Sequence, residues 1–123
     1  MVMARPREFD ERVVVKQVAE LFAKQGFNAT SLDDLVESTG LKRGSIYKAF
    51  GSKLKLFHLA LQQSAGGFSE SQCDLDLLTV ALKELATEDE TTAKICRQIV
   101  ETSNANLPIL LGQNLISKMK GRR

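Results

Sequence analysis

The stretch Asn28–Lys53, NATSLDDLVESTGLKRGSIYKAFGSK, decides how this chain is read. Thr30 or Ser31 can cap a helix, because a hydroxyl oxygen there accepts from an otherwise orphaned backbone N–H. Asp33 and Asp34 follow in the first turn, where negative charge suits the positive end of the helix dipole. Leu32, Leu35 and Val36 recur at helical spacing and predict a buried stripe. Gly40 stands where a helix ends in a left-handed cap, and Leu41 should pack just beyond it. A second helix, Lys42–Phe50, would bury Ile46 and Phe50 four residues apart. That leaves Lys42, Arg43, Ser45, Tyr47 and Lys48 for its outer surface. Two short helices around a tight turn, the second basic on its outer side, predict a DNA-binding helix-turn-helix whose second helix enters the major groove.

A preceding helix is expected from about Phe9 to Gln25. Val14, Val18, Leu21 and Phe22 share one face of it, Glu11, Lys16, Glu20 and Lys24 take the other, and Gly26 ends it. After Gly51, a helix from about Lys53 to Ala65 carries Leu54, Phe57 and Leu61 on one side, with Ser52 as its cap. Lys53 then lies beside a positive helix end, a conflict that a phosphate would resolve. His58, the only histidine, has no ligand partner at helical spacing and reads as structural or surface. Val18, Phe22, Leu35, Ile46 and Phe50 are expected to share one small core.

Gly66-Gly67 and the polar run Ser69–Gln72 predict a boundary. Three further helices are expected beyond it: Leu75–Ala86 with Leu75, Leu78, Leu82 and Leu85; Asp89–Ser103 with Ala93, Ile95, Cys96, Ile99 and Val100; and Leu107–Lys118 with Leu110, Leu111, Leu115 and Met119. Pro108 suits the first turn of the last one. Met1–Glu8, with Arg5 and Arg7, reads as a flexible arm, and Lys118–Arg123 as a disordered tail. The fold class is therefore all-α. A helix-turn-helix domain over residues 1–52 leads through a connecting helix at 53–67 to a small helical dimerisation region at 68–123.

The 123 residues are 43% hydrophobic and 26% charged, the balance of an ordinary soluble protein. No apolar run is long enough to cross a bilayer and the start lacks a signal-peptide core, so the expected location is the cytoplasm with no membrane partner. Residues 1–55 hold ten Lys/Arg against seven Asp/Glu, whereas residues 56–123 hold seven against eight. The positive excess falls on the half with the DNA-binding pattern. Cys73 and Cys96 lie apart, with no metal spacing, and are expected as two unpaired, buried or half-buried thiols. No nucleophile has a base in helical reach, and phosphate-binding Gly-rich loops and metal clusters are absent, so an enzyme is not expected and no cofactor is implied.

Taken together, Thr30, Asp34-Leu35 and the unbroken run Gly40–Lys53 resemble the DNA-binding domain of TetR-family transcriptional regulators. The likeness reaches back through Leu21-Phe22 and Gly26-Phe27 and forward to Leu56-Phe57, about half the chain. It implies that Thr30 or Ser31, Tyr47 and Lys53 touch phosphates, that Lys42, Arg43, Ser45 and Lys48 face the groove of double-stranded DNA, and that Gly44 lets the helix approach closely. Two positions depart from the family's habit. Lys42 replaces a small hydroxyl residue, losing a cap and adding a charge. Ala49 stands where a large polar residue is common, and its methyl could meet a thymine methyl.

The family's usual second domain, which binds an effector and dimerises, is larger than residues 68–123 allow. The chain resembles a reduced or internally deleted member. The expected function is a transcriptional regulator, a repressor, binding a pseudo-palindromic operator as a homodimer. The alternative is an interaction protein that pairs with a full-length relative and binds little DNA itself. So few helices leave little room for an enclosed small-molecule effector pocket, and no ligand residues are assigned. Ile95, Ile99, Val100, Leu110, Leu111 and Leu115 are more apolar surface than such a half should bury alone, which predicts an interface there.

Overall fold

The computed structural model describes residues 9–103 and 106–120. The basic arm expected at Met1–Glu8 and the last three residues of the tail lie outside these. Seven α-helices run α1 Glu11–Gln25, α2 Leu32–Thr39, α3 Arg43–Phe50, α4 Lys53–Gly66, α5 Gln72–Val80, α6 Glu90–Thr102 and α7 Leu107–Lys120. A π-helical turn, Ala81–Leu85, continues α5. The described residues contain no strand, so the all-α expectation holds. None of the described helices is long and apolar enough to cross a membrane.

Polar caps set the helix starts. Asp10, Ser31, Ser52, Ser71 and Asp89 each accept from a backbone N–H in the first turn of the helix that follows. Ser52 was expected in this role. Ser71 was not: the polar run read as a break is the start of α5, which begins at Gln72 rather than Leu75. Lys118–Lys120, expected as disordered tail, continue α7.

Val14, Val18 and Phe22 of α1 meet Leu35, Ile46 and Phe50 of the helix-turn-helix, as expected, but the core does not end there. It runs through Leu56, Phe57 and Leu61 of α4 into Leu75, Leu77, Leu78, Ile95 and Ile99, so one hydrophobic cluster crosses the Gly66-Gly67 break. At its centre Phe57 stands edge-on to Phe22 and Phe27, with centroids 5.1 and 5.4 Å away. His58, beside it on α4, has Nε2 2.7 Å from Asp89 Oδ2 and 3.2 Å from Thr92 Oγ1, and ties α4 to the start of α6. Hydrogen bonds from the Thr92 hydroxyl and amide, and then the His58 contact, hold the Asp89 carboxyl below its ordinary value.

The second half departs from its predicted faces at the π turn. Ala86 donates to the Ala81 carbonyl five residues back, at 2.8 Å, where an α-helix would reach back four. The extra residue shifts the register: Leu77 and Ala81 are buried while Leu82, predicted to face inward, is exposed. Ile95 and Ile99 are buried in the core, and Leu110 and Leu111 are half-buried against it. These four were expected to contribute to an interface and instead serve the fold. Of the expected six, Val100 and Leu115 stay exposed, and the apolar surface left outside in this half is these two with Leu82 and, on α7, Ile109, Ile116 and Met119.

Candidate nucleic-acid interface

The turn between α2 and α3 is built locally. Ser31 Oγ accepts from the Asp34 N–H at 3.0 Å while Asp34 Oδ2 accepts from the Ser31 N–H at 2.9 Å, a reciprocal capping box. Gly40 ends α2 at φ 74°, a left-handed conformation in which glycine is the least strained residue. The backbone bond from Ser31, then the Ser31 side chain, then Gln25 hold the Asp34 carboxyl below its ordinary 3.8. An acid lowered by folding stabilises the fold above its unfolded value and loses that contribution as pH falls through the folded one. The Ser31 amide resonance should therefore titrate with a midpoint below 3.8, and Asp34→Ala should abolish that titration. A midpoint at or above the ordinary value would contradict the capping box.

α3 has Ile46 and Phe50 buried, Ser45 and Ala49 half-buried, and Arg43, Gly44, Tyr47 and Lys48 exposed. At 100° per residue the exposed arc passes Arg43, Tyr47, Gly44 and Lys48 and reaches half-buried Ser45. A Cβ added at Gly44 would meet nothing within 4 Å, so the fold does not require glycine there and the bare backbone faces solvent. Lys42 sits at the N-cap with no side-chain cap, as its replacement of a hydroxyl residue implied. From Lys42 to Lys55 there are five basic residues and no acidic one. The Arg43 guanidinium pairs with Asp33 of α2 through Nη2, both side chains being exposed. An exposed pair of this kind contributes little stability and leaves the other guanidinium donors available. Ala49 is half-buried against the core and does not join the exposed arc.

Two of the predicted phosphate contacts are placed differently. Thr30 is fully buried, and its hydroxyl donates to the Gly26 carbonyl at 2.6 Å. It closes the α1–α2 loop, while Ser31, exposed, is the cap. Lys53 Nζ donates to the carbonyls of Phe27 and Thr30 at 2.9 and 3.0 Å and stands 4.1 Å from the Phe27 ring centroid. The conflict between its charge and the start of α4 is thus met by two carbonyls and an aromatic face. Lys42, Arg43, Gly44, Ser45, Tyr47 and Lys48 lie together on α3, with Ser31 at the start of α2 and Lys53 held beneath.

Other reactive groups lie elsewhere. Cys73 is half-buried and Cys96 buried, both unpaired. Burial pushes the Cys96 thiol up to about 11 and raises that of Cys73, so neither is a ready nucleophile. A groove of about 300 Å³ between the π turn and α6, lined by Leu82, Ala93, Cys96 and Val100, is open to solvent rather than enclosed.

Comparison with known proteins places this geometry. The family described as bacterial regulatory proteins, tetR family, matches residues 15–60, from α1 through the first half of α4. Over 65 residues, 53% of this chain, it is 37% identical to the uncharacterized HTH-type transcriptional regulator YezE of Bacillus subtilis, covering 34% of that protein. Over the same length it is 38% identical to the HTH-type transcriptional repressor ComR of Escherichia coli and 35% identical to the repressor BdcR of the same organism, covering 31% and 33% of them. The matched stretch is about a third of each relative's length. No solved structure shows a significant match. Residues 15–60, which contain the helix-turn-helix, thus form a DNA-binding domain of the type found in the tetR family of bacterial regulatory proteins.

Proposed function

We propose that the chain is a DNA-binding transcriptional repressor that grips a pseudo-palindromic operator as a homodimer. The observation that carries this is the α3 surface: Arg43, Tyr47, Gly44 and Lys48 form one exposed, acid-free arc on a helix anchored by Ile46 and Phe50. Arg43 can grip guanine O6 and N7 with two bonds, Lys42 and Lys48 supply charge, and Gly44 permits close approach. Ser31 at the start of α2 and Tyr47, on the arc between Arg43 and Gly44, offer hydroxyls to passing phosphates. Repression is inferred from the two relatives named as transcriptional repressors.

The dimer rests on α7. Ile109, Leu115, Ile116 and Met119 are 49–67% exposed along one side of that helix, an unusual concentration for a free surface. A second copy of α7 is the proposed occupant, because a two-fold pair repeats the recognition helix on one face of the duplex, about 34–36 Å or a multiple apart. A full-length relative covering the same face is the second reading, and sedimentation of the purified chain separates the two.

The test of DNA recognition is a titration of wild type, Arg43→Ala and Lys48→Ala on selected and scrambled duplexes at several salt concentrations. Arg43→Ala should cost about 1–3 kcal/mol on the selected site and relax specificity at one position. Lys48→Ala should weaken binding on every duplex and lower the salt slope by about one unit. These two are cleaner probes than Lys53, whose ammonium also holds the α1–α2 loop. Affinity and slope unchanged in both variants would defeat the assignment of α3 as the recognition helix.

A further inference from the structure

We infer that Glu84, in the second half of the chain, is a positioning residue for DNA binding, holding the α1–α2 loop from which α2 starts. The inference rests on the proposed DNA-binding reading. Glu84 lies in the π-helical turn, and its Oε1 accepts from the Asn28 N–H at 2.7 Å, across 56 positions of sequence. Its other oxygen lies against Gly26: a Cβ built there would stand 2.6 Å from Oε2. Gly26 is thus set by its φ of 94° and also by the carboxylate pressed against it.

The loop is braced from two sides. Lys53 of α4 holds the carbonyls of Phe27 and Thr30, and Glu84 holds the amide between them. A cation takes the acceptors and an anion takes the donor, so the six-residue loop between α1 and α2 is fixed by side chains from two distant elements. Three residues after Asn28 comes the Ser31–Asp34 capping box, and α2 packs directly on α3. A recognition surface needs its side chains held within about 0.5 Å and 10–20°. Releasing the Asn28 amide frees the start of α2, and through α2 the aim of Arg43 and Lys48. Glu84 reaches this loop from the π turn that continues α5.

The direction of the effect separates this role from simple electrostatics. Removing a carboxylate should, by charge alone, leave affinity for a polyanion unchanged or raise it. Positioning requires it to fall. The experiment compares wild type, Glu84→Ala, Glu84→Asp and Glu84→Gln on the selected duplex, with hydrogen exchange at the Asn28 amide and thermal melting as parallel readouts. Glu84→Ala should lose about three- to tenfold in affinity, less than the full worth of a hydrogen bond to a charged group, because only part of it passes from the loop through α2 to α3. Its Asn28 amide should exchange faster while the protein stays folded. Glu84→Asp, one methylene short but still charged, should behave like Glu84→Ala. Glu84→Gln keeps an acceptor at the same reach and should bind within about twofold of wild type. Undiminished binding by Glu84→Ala, or a loss by Glu84→Gln as large as that by Glu84→Ala, would overturn the assignment. Failure of wild type itself to bind any duplex would instead overturn the DNA-binding reading, with Asn28 exchange still reporting whether Glu84 holds the loop.

Discussion

Phe57→Ala should lower the unfolding free energy by about 3–5 kcal/mol, the usual cost of emptying an aromatic site in a core. Phe57 is fully buried, and its ring meets Phe22 and Phe27 edge-on. Small domains are stable by only about 5–15 kcal/mol, so the variant should be near its limit at room temperature. The manner of unfolding is as informative as its size. One hydrophobic cluster joins α1–α4 to α5 and α6, and the two halves should therefore melt together. Urea titrations followed by Tyr47 fluorescence, which reports on α3, and by thiol reactivity at Cys73, which reports on α5, should give coincident midpoints. Separate midpoints would show that the Gly66-Gly67 break divides the chain energetically after all.

The pair Leu115→Lys and Ile116→Lys should convert the protein to a folded monomer and reduce operator affinity by about 10²–10⁴-fold. That is the range lost when a second, tethered contact is removed. Leu115 is 49% and Ile116 58% exposed, so lysine at both positions costs the protomer little packing while placing charge in the proposed interface. Leu111 is a poorer choice, because it packs against the core and its loss would confuse folding with assembly. Sedimentation gives the oligomeric state, circular dichroism the fold, and titration on full and half operators the affinity. A double variant that stays a folded dimer would remove α7 from the interface. A folded monomer with undiminished operator affinity would show that binding does not require two copies.

What the sequence determined by itself was whatever depends on neighbours within a few residues. A hydroxyl cap at Thr30 or Ser31, the left-handed Gly40, the buried pair Ile46 and Phe50 and the exposed arc from Arg43 to Lys48 follow from spacings of two to four residues, and a helix repeats those spacings wherever it is placed. The same local logic held a signal at Ser71-Gln-Cys-Asp74, a serine with a carboxylate three residues on, which marks the start of α5. Tertiary structure decided which polar side chains turn inward and which apolar ones stay out. Thr30 and Lys53 carry the chemistry of phosphate contacts, yet carbonyls at Gly26, Phe27 and Thr30 claim them because α1, α2 and α4 converge on one loop. Leu82 fits a helical stripe, but a π turn rotates it to solvent. Glu84 had no local signal at all, since its partner lies 56 residues away. Hydrogen-bond and packing partners that are distant in sequence are chosen by how the helices stack, and no periodicity within one helix records that choice.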